Sequence, residues 1–309
     1  MSKEKMIDTL NRFRGCLLGL AVGDAVGTTL EFKPRGSFAP ITDMIGGGPF
    51  GLQPGQWTDD TSMALCLATS LIERRGFDPD DQMQRYVHWW REGYLSSTGA
   101  CFDIGNATVT ALRRYEQEGN PLAGSDDPHS AGNGCLMRLA PIPMFFAADI
   151  DAAERYAAES SRTTHGAAEC LDACRLFARI LVRALGGQSK EAVLLGDADT
   201  FDGRQQIAAI AHGKYRDKSE NAIRGSGYVV ESLEAALWTF ATTESFEDAI
   251  LRAANLGDDA DTTAAICGQV AGAFYGGVGI PVRWLEKLAM GETIAGWADQ
   301  LYALSTVRT

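Results

Sequence analysis

Two short segments of the sequence place several carboxylates and hydroxyls immediately before a helical hydrophobic pattern. One precedes a helix predicted over 59–73, and the other precedes an uncharged, glycine-containing run over 262–282. Acids and hydroxyls at a helix start ordinarily act as caps, because they satisfy free N–H groups and complement the helix dipole. Capping needs only one or two acids at each end, so this excess of negative charge requires a cation if the two helix starts meet. The residues are Thr58, Asp59 and Asp60 in the first segment and Asp259, Asp261 and Thr262 in the second.

The ligand atoms that these segments offer are carboxylate and hydroxyl oxygens, with no histidine or cysteine among them. Hard oxygen ligands select Mg²⁺, Mn²⁺ or Ca²⁺ over Zn²⁺ or Cu²⁺. Asp59 and Asp60 are adjacent, and Asp259 and Asp261 are two residues apart, so each pair spreads around a helix start. This spacing is compatible with two metal ions that are bridged by an aspartate.

Two glycine ridges indicate which helices lie deepest in the protein. Glycines recur every four residues from Gly15 to Gly27, and again at Gly268, Gly272 and Gly276. Such a ridge of small residues lets two helix backbones approach closely. Since glycine in a helix interior costs roughly 1 kcal/mol relative to alanine, both ridges require compensating packing or a ligand. We therefore predict that both helices lie deep in the fold.

The uncharged run over 262–282 is long enough to cross a bilayer. It contains several glycines, Pro281 and a central Gln269, and it begins beside three aspartates that would lie in or near the hydrocarbon. We therefore predict a buried helix here and no membrane span.

The dominant hydrophobic period elsewhere in the chain is helical, and strand signals are nearly absent. The sequence predicts an all-α protein, folded as a single domain over residues 1–309 because neither an internal repeat nor a linker divides it. One further helix is marked by a face containing Cys170 and Leu181, and others are predicted over 79–93, 104–118, 150–160, 226–240, 244–255 and 284–304. The long, turn-rich loops, of a length that is usually functional, cover 33–57, 119–134 and 213–227.

The composition is that of an ordinary soluble protein with an acidic excess. The chain has 309 residues, with 28 Lys and Arg against 40 Asp and Glu, for a net charge of −12. This composition excludes disordered and low-complexity classes. The negative charge argues against general nucleic-acid binding, which needs a cationic face. No heptad pattern or apolar edge strand demands self-association, so we expect a monomer.

The seven cysteines are scattered along the chain, and none forms a CxxC pair. This pattern is neither a disulfide framework nor a zinc ribbon. The first residues carry mixed charges and no apolar segment of the signal-peptide kind. Both observations predict a protein of the reducing cytoplasm.

Seven motifs run in order through nearly the whole chain. They are GDAVGTTLEF (23–32), GGGPFGLQPGQWTDDTSMAL (46–65), FDIGNAT (102–108), GNGCLMRLAPIP (132–143), THGAAECLDACR (164–175), GSGYVVESLEAALW (225–238) and GDDADTTAAICGQVAGAFYG (257–276). The paired WTDDT and DADT motifs are the most specific. Together the motifs resemble the ADP-ribosylglycohydrolase family, and most of all its bacterial dinitrogenase-reductase-activating branch.

This resemblance implies an all-α orthogonal bundle with a binuclear Mg²⁺ or Mn²⁺ site. The implied reaction removes ADP-ribose from a modified protein side chain and leaves ADP-ribose as the product. Glu31 matches the family's acid/base and gating glutamate, and Asp103 matches the aspartate near the scissile linkage of the arginine-cleaving branch, where it could pair with the guanidinium. Without the resemblance, Glu31 reads as a solvated helix-end acid and Asp103 as a helix N-cap. The implied metal ligands are Thr58, Asp59, Asp60, Asp259, Asp261 and Thr262.

Asp258 is one departure from the family pattern, because it stands where the family commonly has glycine. It adds a negative charge beside the expected metals. We expect this charge to alter either the exchange of a metal or the fit of the substrate.

Binding of the diphosphate requires hydrogen-bond donors, and two glycine-containing loops could supply backbone N–H groups. The alternative for these loops is an ordinary turn. His165 could contact a phosphate or a ribose, and Tyr228 could stack on adenine or ribose, with core packing as its alternative. The predicted residues are Gly47 and Gly48 in the first loop, Asn133 and Gly134 in the second, and His165 and Tyr228.

Several alternatives stay open at the level of the sequence. The protein could cleave serine-linked or other O-linked ADP-ribose instead of the arginine linkage, or it could bind ADP-ribose without cleaving it. Prenyl-diphosphate chemistry also uses Asp-rich helices and Mg²⁺, but it requires a DDxxD motif, and the run that begins Asp59-Asp60 lacks the final aspartate.

Overall fold

The computed structural model of the protein describes residues 3–306, and the side chains of residues 8–306. Within that part of the chain the regular secondary structure is helical, with three isolated β-bridges, so the prediction of an all-α fold is confirmed. The α-helices are α1 (Lys3–Gly27), α2 (Asp59–Arg74), α3 (Pro79–Glu92), α4 (Asn106–Glu118), α5 (Pro141–Phe145), α6 (Ile150–Arg162), α7 (Ala168–Leu185), α8 (Lys190–Leu195), α9 (Gln205–Ala211), α10 (Val229–Ala241), α11 (Phe246–Ala254), α12 (Ala260–Tyr275), α13 (Val282–Leu285) and α14 (Gly291–Thr306). Single-turn 3₁₀ helices cover Thr28–Leu30, Pro128–Ser130, Glu220–Ala222 and Gly277–Gly279.

Helices α1 and α12 pack against each other along their glycine ridges. A Cβ atom added to Gly15 would lie 2.2 Å from the carbonyl oxygen of Gly272, and one added to Gly23 would lie 2.1 Å from that of Ala264. Residue numbers rise along α1 while they fall along α12, so the two helices are antiparallel. The prediction that both helices lie deep in the fold is confirmed, because the two ridges compensate each other by direct backbone contact.

The antiparallel pair brings the last turn of α1 to the first turn of α12. A Cβ atom on Gly27 would lie 2.4 Å from the carbonyl oxygen of Ala260, the first residue of α12. The segment that follows α1 and the segment that precedes α12 therefore leave the pair at the same end. Phe32 donates its backbone N–H to the carbonyl of Asp258 over 2.7 Å, and Asp258 donates to that of Lys33 over 2.8 Å.

The apolar core consists of a large cluster around α1 and α12 and a smaller one around α3 and α4. Helix α2 lies between them. Its Leu65 and Leu67 belong to the large cluster, and its Met63 and Cys66 belong to the smaller one. Residues 59–71 are all buried, because α2 presents apolar side chains in both directions.

One predicted helix is wrong in its extent. The sequence predicts a continuous helix over 284–304, but the structure ends α13 at Leu285 and begins α14 at Gly291. Met290 adopts a left-handed conformation with φ of 57°, and the N–H of Ala289 donates to the carbonyl of Gly55 over 2.9 Å. The loop before α2 therefore accepts a backbone hydrogen bond from the interruption between α13 and α14. The apolar pattern of the sequence continues across this interruption and does not mark it.

The expectation for the uncharged run over 262–282 agrees with the structure. Most of it forms α12, which is buried in the bundle from Ala260 to Ala273. Among the described residues, none of the helices has the length and apolar character that a membrane span requires. The description of residues 1–309 as a single domain stays a prediction.

The contact between the two ridges predicts that alanine cannot replace Gly272. Its Cβ atom would lie 1.9 Å from the carbonyl oxygen of Gly15, and backbone atoms cannot move aside as a side chain can. We expect Gly272→Ala to lower the free energy of unfolding by about 1–3 kcal/mol, measured by urea denaturation. The matched control is Gly296→Ala in α14, where an added Cβ has open space; it should stabilise the protein by up to about 1 kcal/mol. Equal effects of the two substitutions would contradict the close approach.

Candidate functional site

The two aspartate-rich helix starts meet at the buried end of the α1–α12 pair. The hydroxyl oxygen of Thr58 lies 3.3 Å from Asp261 Oδ2, and the hydroxyl of Thr262 donates to Asp60 Oδ1 over 3.4 Å. Each motif therefore places a hydroxyl beside a carboxylate of the other. The first turns of α2 and α12 point their N-termini into the same small volume, where the helix dipoles favour negative charge.

Asp24 on α1 holds the start of α2 and is not among the residues predicted from the sequence. Its carboxylate accepts the backbone N–H of Thr58 (2.9 Å) and of Thr61 (3.0 Å), and both threonine hydroxyls as well, at 3.0 and 2.6 Å. It is fully buried, and burial raises its pKa to about 6. Asp24 thus caps α2 from another helix, and the hydroxyl of the N-cap residue Thr58 is directed towards the site.

A signal for Asp24 exists in the sequence. It is an acid between Gly23 and Gly27, in a helix whose neighbouring residues are small or apolar. An acid in such a buried helix needs several donors, because burying an unpaired charge is costly.

Glu31 and Asp103 join the site from two further segments. Carboxylate oxygens of Glu31, Asp103 and Asp261 all lie within 4.8 Å of one another. Glu31 follows the 3₁₀ turn at the end of α1, and Asp103 lies in the loop before α4 with a left-handed φ of 59°. Such a conformation is tolerated by aspartate better than by most residues.

The electrostatics of the site are those of crowded, buried carboxylates. Burial, followed by the charge of Asp261, raises the pKa of Glu31 far above its usual value. Burial raises the pKa of Asp103 to about 7. Burial and the charges of neighbouring acids also raise the pKa of Asp59, Asp60 and Asp261 well above the usual range. Ionisation of the whole group therefore requires a compensating positive charge.

Two buried oxygen atoms of the site have no hydrogen-bond partner among the described residues. They are Asp60 Oδ2 and Glu31 Oε2. A buried polar atom without a partner is costly. The surrounding donor set consists of carboxylate and hydroxyl oxygens, which is the chemistry that a hard divalent cation prefers. The residues present therefore fit such a cation.

A cavity of about 500 Å³ opens from these carboxylates. Its wall includes the turn of Gly132, Asn133 and Gly134, and Asn133 Nδ2 donates to Asp259 Oδ2 over 2.8 Å. His165 lies behind this turn, since a Cβ atom on Gly134 would be 2.8 Å from its Cε1. The predicted residues Asn133, Gly134 and His165 are thus brought to the same cavity as the carboxylates.

His165 is buried, and its Nδ1 lies 2.8 Å from the hydroxyl of Thr164. Burial lowers its pKa to about 4, and the positive charge of Arg138 acts in the same direction. The imidazole is therefore neutral at physiological pH, and it can serve a ligand only as a neutral hydrogen-bonding group.

Tyr228 lines a second, adjoining cavity of about 850 Å³. The two cavities share wall residues, including Asn106, Gly132 and Gly227. The hydroxyl of Tyr228 donates to Glu169 Oε2 over 2.7 Å, and its ring lies at the start of α10. The structure therefore places Tyr228 beside the carboxylate cavity and outside its wall.

Gly47 and Gly48 form a tight turn that is part of neither cavity wall. Gly47 exchanges backbone hydrogen bonds with Leu52 at 2.7 and 2.9 Å. A Cβ atom on Gly48 would lie 2.1 Å from the carbonyl oxygen of Thr28, just before Glu31. Gly48 packs the turn against the segment that carries Glu31, and the contact of the two glycines with a phosphate stays a prediction.

Asp258 adopts a left-handed conformation with φ of 57°, which favours glycine. Glycine suits this position because the backbone of residue 258 must adopt the left-handed conformation to form hydrogen bonds with Phe32 and Lys33. Asp258 is half-buried and precedes Asp259, which also lies at the start of α12. Its expected effect on metal exchange or substrate fit stays a prediction.

Comparison with known proteins shows the family. The family model described as ADP-ribosylglycohydrolase matches residues 5–309. The chain is 48% identical to ADP-ribosylarginine hydrolase Tri1 of Pseudomonas putida over 95% of this chain and 78% of the relative. It is 33% identical to the ADP-ribosyl-[dinitrogen reductase] glycohydrolase of Rhodospirillum rubrum over 96% of this chain and 97% of the relative.

A solved structure titled "ADP-ribosylglycohydrolase-related protein complex" has the same fold. It superposes with a TM-score of 0.87 at 44% identity, covering 97% of this chain and 99% of that one. The meeting of the two aspartate-rich helix starts, the family model and the relatives agree, and the chain belongs to the ADP-ribosylglycohydrolase family of hydrolases.

Proposed function

We propose that this protein hydrolyses the N-glycosidic bond between ADP-ribose and a protein arginine, with two Mg²⁺ or Mn²⁺ ions bound between α2 and α12. The observation that carries the proposal is the meeting of Asp60 and Asp261 beside Glu31 and Asp103, with buried oxygen atoms that have no partner. Relatives at 48% and 44% identity, from Pseudomonas putida and Serratia proteamaculans, are named ADP-ribosylarginine hydrolase, which supports the arginine linkage.

The residues that would hold the metal ions come from both helix starts. When bound, the cations supply positive charge that balances the carboxylates, orients the ribose hydroxyls and polarises a water molecule. The hydrogen bonds to Asp24 fix the backbone from which Thr58 and its neighbours extend. The proposed ligands are Thr58, Asp59, Asp60, Asp259, Asp261 and Thr262.

Glu31 is suited to hold and move a proton at its Oε2 atom. That atom is buried and without a hydrogen-bond partner, and Glu31 lines the cavity next to Asp261. The pKa of Glu31 is raised by burial and by neighbouring acids, so positive charge in the site brings it back towards the range in which a general base works at neutral pH. We assign Glu31 the removal of a proton from the attacking water.

Asp103 is placed to bind the guanidinium leaving group through an ion pair. It lines the cavity beside Glu31, and its carboxylate can form a charge-assisted pair with a guanidinium, which keeps that group protonated as it departs. Pairing with a cation also lowers the pKa of Asp103 from about 7. A serine leaving group carries no positive charge and gains nothing from this pair.

The ADP-ribose moiety extends from the carboxylates along the wall of the cavity. Asn133 and Gly134 flank its path, and the neutral ring of His165 lies behind them. The adjoining cavity continues this path to the aromatic ring of Tyr228, which we assign to the adenine. The product that stays in the site after bond cleavage is then free ADP-ribose.

The first test is release of ADP-ribose from an arginine-ADP-ribosylated protein and, in parallel, from a serine-ADP-ribosylated peptide. We expect release from the arginine substrate with Mg²⁺ or Mn²⁺, and none in EDTA, because the carboxylates require positive charge. Release from the serine substrate alone would contradict the arginine linkage, and undiminished release in EDTA would contradict the metal. Tight binding of ADP-ribose with no release from either substrate would identify a binding protein.

Removal of one carboxylate from the centre should abolish turnover. We expect Asp261→Asn to reduce the rate by at least about a thousandfold and to weaken Mn²⁺ binding measured by calorimetry, with helix content unchanged in circular dichroism. The comparison variant is Asp258→Asn, which removes a charge but no proposed metal ligand from the same segment and keeps a residue that tolerates φ of 57°. It should retain turnover, with any change confined to metal exchange or substrate fit. An Asp261→Asn enzyme with normal turnover would refute the centre.

Glu31→Gln separates binding from chemistry. The amide keeps the size of the side chain but cannot take a proton, so we expect ADP-ribose and Mn²⁺ to bind within about threefold of wild type while turnover falls by about 10²–10⁴. The measurement is single-turnover release of ADP-ribose together with direct binding by calorimetry. Near-normal turnover would remove Glu31 from the proton transfer.

A further inference from the structure

Three phenylalanine rings form a continuous chain that begins with Phe32 at the wall of the carboxylate cavity. The ring centroids of Phe32 and Phe50 are 6.4 Å apart in an edge-to-face arrangement, and those of Phe50 and Phe102 are 5.2 Å apart. The rings come from three separate segments: the residues after α1, the glycine turn before α2, and the loop before α4. We call this set the aromatic rim.

The aromatic rim is partly exposed, unlike the aromatic side chains of the core. Phe32 lines the cavity wall and yet has 66% of its surface exposed, and Phe50 and Phe102 are half-buried. Phe32 also has a left-handed φ of 60°, which is a rare and costly conformation for a bulky residue. Folding gains little from a large apolar side chain in this position, and such an exposed apolar group beside a cavity indicates contact with a ligand.

The position of the rim in the sequence ties it to the leaving-group end of the site. Phe32 directly follows Glu31, and Phe102 directly precedes Asp103. Phe50 packs against both rings and so connects the segments that carry the two carboxylates. A group that pairs with Asp103 therefore lies beside Phe32, which lines the same cavity next to Glu31.

The chemistry of the rim matches an arginine side chain. Ring faces attract a planar guanidinium, and they also cover the methylene groups that follow it. The neighbouring carboxylates add negative potential that favours a cation. A serine linkage offers neither a cation nor an alkyl chain of this length.

We propose that the aromatic rim binds the side chain of the ADP-ribosylated arginine and sets the specificity for the protein part of the substrate. This assignment rests on the proposed arginine linkage. Phe32 contacts the guanidinium end, and Phe50 and Phe102 contact the methylene groups and the polypeptide that carries them. The rim makes no contact with the ADP-ribose moiety, whose path runs along the Asn133 side of the cavity.

The test uses the full-length enzyme and two measurements: the KM for an arginine-ADP-ribosylated peptide, and the inhibition constant of free ADP-ribose. We expect Phe50→Ala and Phe32→Asn to raise KM by about fivefold to thirtyfold, with the inhibition constant of ADP-ribose changed less than twofold. Phe32→Asn suits an exposed, left-handed position, so it preserves the fold. Phe50→Tyr keeps an aromatic ring and should restore KM to within twofold of wild type.

The matched control is Val278→Ser. Val278 is 84% exposed and follows α12 at the end opposite to the site. The substitution therefore removes an exposed apolar group without altering the rim, and it should change neither constant. An equal rise in KM and in the ADP-ribose inhibition constant would overturn the proposal, because the rim would then support the nucleotide or the fold. An unchanged KM would overturn it as well. Wild-type enzyme that releases ADP-ribose from serine and not from arginine would instead refute the arginine linkage, before any variant is compared.

Discussion

The backbone contact between α1 and α12 is the constraint on which the rest of the structure depends. Glycines on both helices leave no side chain between them, and carbonyl oxygens of one helix lie where Cβ atoms of the other would be. Because the helices run in opposite directions, the end of α1 and the start of α12 coincide. Asp24, Glu31 and the aspartates of α12 are thereby gathered at one point, although more than two hundred residues separate them.

The second constraint is the conflict between helix dipoles and burial. The N-termini of α2 and α12 favour negative charge, but removal of several carboxylates from water strongly disfavours it. The raised pKa values of Glu31, Asp59, Asp60 and Asp261 are the result of this conflict. A protein without a ligand for these groups would do better with fewer acids, and their number therefore supports the proposed binding of cations.

Much of the site follows from local sequence patterns, because helix starts and glycine ridges have strong signatures. The two aspartate-rich segments lie together as their patterns indicate, and the helical face of Cys170 and Leu181 is buried in α7. Glu31 and Asp103 are placed beside them only by the family resemblance, since their local sequence indicates a solvated acid and a helix N-cap. The sequence marks Asp24 as an unusual acid in a buried helix, but not its role, because it caps a helix to which it is joined only through tertiary contact. The interruption between Leu285 and Gly291 was missed for a similar reason, since a hydrogen bond to Gly55, distant in sequence, sets it.

The capping of α2 by Asp24 also has a consequence for local opening. Ordinarily the first turn of a helix frays, and its amide protons exchange with solvent long before the protein unfolds. Here the amides of Thr58 and Thr61 are held by a carboxylate of α1, which itself is locked against α12. Exchange at these two positions therefore requires the start of α2 to separate from α1, so this first turn is slower to open than the first turn of an ordinary helix.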